Sequence, residues 1–184
     1  MEVELSAEAK DKRLNRAVAL TVVVLSVFAG LCNIKDGNIV QAMQQAQAAS
    51  VDGWNEYQAT RTKQHLAETA RLQLVALAPP DKAAAALASL DHDIARYKAE
   101  APGLAAEARR QSALYDRLNF HDDQFDAADA AIASAISIAA VAALAESGLV
   151  LLAAWAFGGF GLFMGLNGFL GGSFHPDVLS TLLG

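Results

Sequence analysis

The sequence predicts an all-α membrane protein: three transmembrane helices, with a long antiparallel coiled-coil hairpin between the first and the second. Three observations carry this. Charge-free apolar runs occupy 17–34, 130–145 and 147–174, on the length scale a helix needs to cross the hydrocarbon core. Between the first two runs, apolar residues recur at alternating three- and four-residue intervals, the mark of a helical seam. Near the middle of that stretch stands Pro79-Pro80, where a helix cannot continue.

Composition agrees. Of 184 residues, 54% are hydrophobic and 18% charged, with a mean hydropathy of +0.26, which excludes a disordered chain. The apolar residues are clustered, which argues against a single water-soluble globule. Alanine accounts for 40 residues, far above ordinary usage. A single cysteine, Cys32, excludes an intramolecular disulfide framework and a multi-cysteine zinc site. A net charge of −6 is too acidic for a general nucleic-acid binder.

Residues 1–16 form an N-terminal segment carrying Lys10, Lys12, Arg13 and Arg16 ahead of the first span, 17–34, whereas only Lys35 follows it closely. Basic residues stay on the cytoplasmic side. The N-terminus is therefore expected in the cytoplasm, and the hairpin on the opposite side, the periplasm of the inner membrane if the source is a Gram-negative bacterium. Cleavage after Ala29 as a signal peptide is the weaker alternative, and lipidation of Cys32 is disfavoured by Leu31 directly before it.

Residues 35–129 are expected to form the hairpin, with its turn at 79–80. The first helix would begin near Gly37-Asn38 and end at Ala78. Its apolar residues (Val40, Met43, Val51, Trp54, Tyr57, Leu66, Ala70, Leu74, Leu77) drift in register, and Gly53 interrupts it. Asp81 is available as a cap for the second helix. There the seam is regular: Leu87, Leu90, Ile94, Tyr97, Ala101, Leu104, Ala108, Gln111, Tyr115, Leu118, Asp122 and Phe125. Pro102-Gly103 should kink it. At about 1.5 Å per residue each helix spans on the order of 60–70 Å. A two-helix hairpin has little interior, so association with a second copy or a membrane-protein partner is expected.

The second span, 130–145, is marginal, with nine alanines among its 16 residues. Ala131, Ala135, Ala139 and Ala143 make a smooth face for close helix approach, answered in the third span, 149–172, by Gly161-x-x-x-Gly165 and Gly168-x-x-x-Gly172. Packing within the hairpin is the main expectation for these faces, with lateral oligomerisation or a pore lining as the alternatives. Glu146-Ser147-Gly148 reads as a tight turn with Gly148 free to take a positive φ. A tail, 173–184, follows.

Catalytic and ligand-binding candidates are thin. His65-x-x-Glu68 places two possible metal ligands on one helical face, as does His92 between Asp91 and Asp93, but a di-iron bundle needs paired Glu-x-x-His motifs on facing helices. His121, Asp122, Asp123, Asp126 and Asp129 cluster before the second span without the spacing of an EF-hand loop; marking the membrane boundary is their expected role. Asn33, Lys35, Asp36 and Asn38 crowd the end of the first span, so this group and the 121–129 acidic group both lie at the hairpin's base, and Lys35 is predicted to pair with Asp122, Asp123 or Asp126. Gln41, Gln44, Gln45 and Gln47 give the hairpin's first helix a polar face. Glu146 and Asn167 are the polar exceptions in the C-terminal spans. No phosphate-binding loop, dinucleotide fingerprint, nucleophile elbow or zinc-hydrolase motif occurs in the sequence. No catalytic residue, cofactor or metal is therefore assigned.

The strings from Leu31 to Gln47 (LCNIKDGNIVQAMQQAQ), from Lys63 to Thr69 (KQHLAET) and from Asp122 to Ala128 (DDQFDAA) resemble a family of bacterial membrane proteins, the domain of unknown function 4337. The resemblance covers nearly the whole chain, with Pro102-Gly103 as a departure. It implies a bacterial membrane protein of this architecture and brings no catalytic residue. The function expected is that of a non-enzymatic membrane-anchored scaffold or interaction protein, embedded in the bilayer and self-associating or bound to a membrane complex. A channel or an accessory subunit of a transport complex is the alternative.

Overall fold

The computed structural model describes residues 2–174; Met1 and 175–184, which hold most of the expected tail, lie outside the described residues. These form three α-helices and no strand: α1 (Glu2–Leu77), α2 (Pro80–Leu144) and α3 (Gly148–Phe169). Each is long and apolar enough to cross a membrane. The two long helices pack as a hairpin.

The first expected span and the first hairpin helix are one helix. α1 runs through Gly37-Asn38 without a break, because Gly37 keeps helical backbone and a lone glycine costs a helix only about 1 kcal/mol. Likewise α2 continues through Pro102. The proline is exposed on the helix surface, where water can satisfy the carbonyl that loses its N–H partner.

Each turn has a local cause. At the first, α2 starts at Pro80, where a missing N–H is no loss, and the carbonyl of Pro79 accepts from Lys82 and Ala83 N–H at 3.1 Å. Asp81 lies inside the first turn of α2 and favours the helix through its charge. At the second turn the left-handed residue is Glu146, φ +50°, where Gly148 was expected. Ser147 N–H donates to Ala142 O (3.1 Å) and Glu146 N–H to Ala143 O (3.4 Å), a Schellman closure, and Gly148 is already the first residue of α3. α3 ends by the same device, with Gly171 at φ +69° and Gly172 N–H donating to Asn167 O at 2.8 Å. Gly172 thus lies beyond the helix, so Gly168-x-x-x-Gly172 is not a helical packing pair.

The chain divides into two compact units: Met1–Gln41 with Arg117–Gly184, and Ala42–Asp116. In the first, parts of all three helices enclose small apolar layers. Val18, Ala139, Ala142, Leu151 and Ala154 form one, Leu25, Ile132 and Ala135 a second, and Ala127, Ala128 and Met164 a third. In the second unit α1 and α2 pair alone. There Ser50 and Ser112 share a hydrogen bond of 2.8 Å, and a Cβ on Gly53 would stand 3.1 Å from that of Ala108.

The register of α1 does not drift. Its inward positions repeat every seven residues: Val18, Leu25, Cys32, Ile39, Ala46, Gly53, Thr60, Ala67 and Leu74, all but the last followed four residues on by another, from Val22 and Ala29 to Gln64 and Arg71. Among the described side chains of α1, every buried residue falls on this seam. It was hidden because small and polar side chains fill it.

Candidate functional site

The chemistry-bearing residues of the first unit gather where α1 leaves its apolar stretch and α2 enters one. Asp36 occupies the α1 seam one turn after Cys32, and Asp122 occupies the α2 seam, both half-buried. One carboxylate oxygen of each, Asp36 Oδ1 and Asp122 Oδ1, is fully enclosed without a hydrogen-bond partner. Both groups are acceptors only when ionised, so a proton on one supplies the missing donor. Accordingly, burial, then a hydrogen bond to Asp36, then the negative charges of Asp36, Asp126 and Asp123 push the Asp122 carboxyl up to about 7. Asp126 is raised as well, by burial first and then by Asp36, Asp123 and Asp129.

Lys35 points elsewhere. It is exposed, and none of the ion pairs among the described residues involves it. The α1 side chain facing Asp122 is Asp36, one residue and about 100° further around the helix. The expected attraction is replaced by like charges that a proton relieves.

Beside this pair, Gln124 is fully buried. Its Nε2 donates to Gly172 O (3.0 Å) and Phe174 O (2.6 Å), and its Oε1 accepts from His121 Nδ1 at 3.0 Å. Asn167 Nδ2 also donates to Phe174 O, at 3.1 Å. The chain after α3 is thereby fastened to α2. Phe28, Phe125 and Phe169 stack edge to face beneath it, with ring centres 6.3 and 5.2 Å apart. The sequence places Asp36 in the polar group at the hairpin's base but favours Lys35 for the pairing, and it singles out no role for Gln124. The seven-residue spacing of Cys32 from Leu25 and Ile39 was the available signal for Asp36, and nothing local marked Gln124.

The small-residue candidates are all buried inside this unit. Ala135 and Ala139 sit in the apolar layers. Gly161 and Gly165 face different helices: a Cβ at Gly161 would meet Ile132 and Ala128 of α2, and one at Gly165 would meet Phe28 and Cys32 of α1. A single glycine face thus admits two neighbours.

In the second unit Ile94 is buried, and Leu87, Leu90, Tyr97, Leu104 and Tyr115 are half-buried along α2; Leu118, in the first unit, is half-buried too. Charges cross between the helices here. Arg71 Nε lies 2.6 Å from Asp91 Oδ1 and Lys98 Nζ 3.2 Å from Glu68 Oε1. Glu68 also accepts from Gln64 at 2.9 Å and lies 3.4 Å from His65. These partners, Gln64 foremost, hold its carboxyl below the usual range. The His65–Glu68 pair is thus part of a cross-helix polar network.

With the geometry in hand, one comparison decides the family. The family model described as "Domain of unknown function (DUF4337)" matches residues 14–171. The chain is a DUF4337 protein. No curated protein and no solved structure matches it. The DUF4337 match begins three residues before the expected first span and ends two residues past α3, so it takes in the carboxylate pair, Gln124 and both helical seams, while the clasp's acceptors Gly172 and Phe174 lie beyond it. Its description assigns no activity to any of them.

Proposed function

We propose that this DUF4337 chain is a membrane-anchored helical scaffold that associates with a second copy of itself through its hairpin, without catalysis of its own. In this reading the three apolar helix segments lie in a bacterial cell membrane, the N-terminus is cytoplasmic and the hairpin, a coiled coil, is periplasmic. The observation that carries it is an inversion in the second unit. α1 buries Ser50, Thr60 and Gln64 while leaving Leu66, Leu72 and Leu77 exposed at 65%, 66% and 84%. At about 100° per residue Leu66 and Leu77 share one flank of the α1 seam and Leu72 lies on the other; large apolar side chains left in water mark an interaction surface, and a two-helix hairpin has no third layer to cover them. The glycine face of α3 weighs for packing over conduction, because Leu25, Ile132, Phe28 and Phe125 fill it.

The test is disulfide trapping in native membranes. In a Cys32→Ala background, Leu72→Cys is expected to give a covalent dimer on mild oxidation, while Lys63→Cys, an exposed position outside the apolar set, gives much less. A chain that remains monomeric by both trapping and light scattering in mild detergent refutes the reading. Labelling of Ala85→Cys by an impermeant reagent on intact inner-membrane-bounded cells checks the orientation; labelling only after that membrane is opened reverses it.

A further inference from the structure

A groove of about 360 Å³ opens between α1 and α3 in the first unit, lined by Leu20, Val24, Leu25, Trp155, Gly159 and Leu162 among others. Its one hydroxyl, Thr21, has both hydrogen-bonding directions spent: it donates to Ala17 O at 2.9 Å and accepts from Trp155 Nε1–H at 2.8 Å. What remains is a hydrocarbon slot. Glycine makes the slot: a Cβ at Gly159 would meet nothing within 4 Å, so the backbone of α3 forms part of its wall.

Directly N-terminal on α1 stand Arg13 and Arg16, both exposed. Arg13 is seven residues before Leu20 and Arg16 is four before it, so the two guanidinium groups share a helix face with Leu20 and Val24. No ion pair among the described residues uses either arginine. The α2–α3 turn lies at this same end, where Leu14 packs against the layer that holds Ala142 and Leu151, and among the described ion pairs none joins its exposed Glu146 to these arginines. Trp155, an amphipathic ring tied by its N–H to α1, fits the depth at which tryptophan settles between headgroups and acyl chains. An apolar slot with two exposed cations one to two turns above it matches an amphiphile with an anionic head.

We propose that this groove is a binding site for an anionic glycerophospholipid of the cytoplasmic leaflet. One acyl chain lies along Leu20, Val24, Trp155, Gly159 and Leu162, and the phosphate pairs with Arg13 and Arg16. The site rests on the membrane reading given above.

Bromine on an acyl chain quenches a tryptophan it touches, so the full chain carrying Trp54→Phe reports on Trp155 alone. The protein is reconstituted in phosphatidylcholine vesicles with increasing brominated phosphatidylglycerol, or with brominated phosphatidylcholine as the rival ligand. Saturable quenching at low mole fractions of the anionic lipid is expected, with only shallow quenching by the zwitterionic one. Arg13→Ala with Arg16→Ala should raise the half-saturating fraction roughly twenty-five-fold, at about fivefold per arginine near a surface. Gly159→Leu fills the slot from an open position and should abolish the saturable phase while the helix content stays the same. Equal quenching by the two lipids, or saturable quenching that survives Gly159→Leu, overturns the site. Flotation separates the two layers of the argument. A chain that does not float with the vesicles refutes the membrane reading and the site with it; one that floats without lipid preference refutes the site alone.

Discussion

Two glycines of α3, two positions apart, should respond oppositely to the same added methyl. At Gly161 a Cβ would lie 2.6 Å from Ile132 Cγ1, 3.0 Å from Ala128 O and 3.2 Å from Ile132 N. Two of those three atoms belong to the α2 backbone, which cannot yield without moving the helix, and Ile132 is itself 1% exposed. Overpacking of this kind costs about 1–3 kcal/mol, and the backbone contact puts it at the upper end. Alanine's better helix propensity returns about 1 kcal/mol, so Gly161→Ala should destabilise by roughly 1–2 kcal/mol. At Gly159 nothing lies within 4 Å, so only the propensity gain operates, up to about 1 kcal/mol. The two variants should differ by about 2–3 kcal/mol, or roughly 5–10 °C in Tm for a chain of this size. Thermal unfolding in one mild detergent, followed by tryptophan fluorescence and helix circular dichroism, reads the difference. A Gly161→Ala protein that melts at or above the Gly159→Ala protein would refute the close approach of α2 and α3.

Other positions give further checks. Glu146 holds a left-handed conformation that costs a non-glycine residue on the order of 1 kcal/mol, so Glu146→Gly should raise the melting temperature by a few degrees. Gln124→Leu removes both donors to Gly172 O and Phe174 O. It should cost about 1–3 kcal/mol and speed amide exchange at 171–174, measured by hydrogen–deuterium exchange. The Asp122 carboxyl is raised in the folded chain, so the folded state holds its proton more tightly than the unfolded one. That contribution is complete below about pH 4 and is lost as pH rises toward about 7. The Tm in detergent should therefore fall between pH 5 and pH 8, and Asp122→Asn should flatten that slope and stabilise at pH 8. A slope unchanged in Asp122→Asn removes the Asp36–Asp122 pairing as its cause.

The sequence by itself determined the helices, their apolar segments and the fold-back at Pro79-Pro80, because each has a local cause: length and hydropathy, or a ring that forbids a hydrogen bond. It also determined the α2 seam, since Leu87, Leu90, Ile94, Tyr97 and Leu104 are large enough to stand out against polar neighbours. The α1 seam was decided by tertiary structure alone. Ala46, Ser50, Gly53, Thr60 and Gln64 are inward because α2 lies against that face, close enough to set Gly53 on Ala108 and Ser50 on Ser112, and such close packing selects side chains by fit and not by apolarity. The same holds for Asp36 over Lys35: proximity in sequence put both near Asp122, but a rotation of about 100° per residue assigned one to the interior and the other to solvent. Even the second turn followed this rule. Glycine at 148 was the local favourite for a positive φ, yet α2 ended two residues earlier, and the left-handed position fell on Glu146.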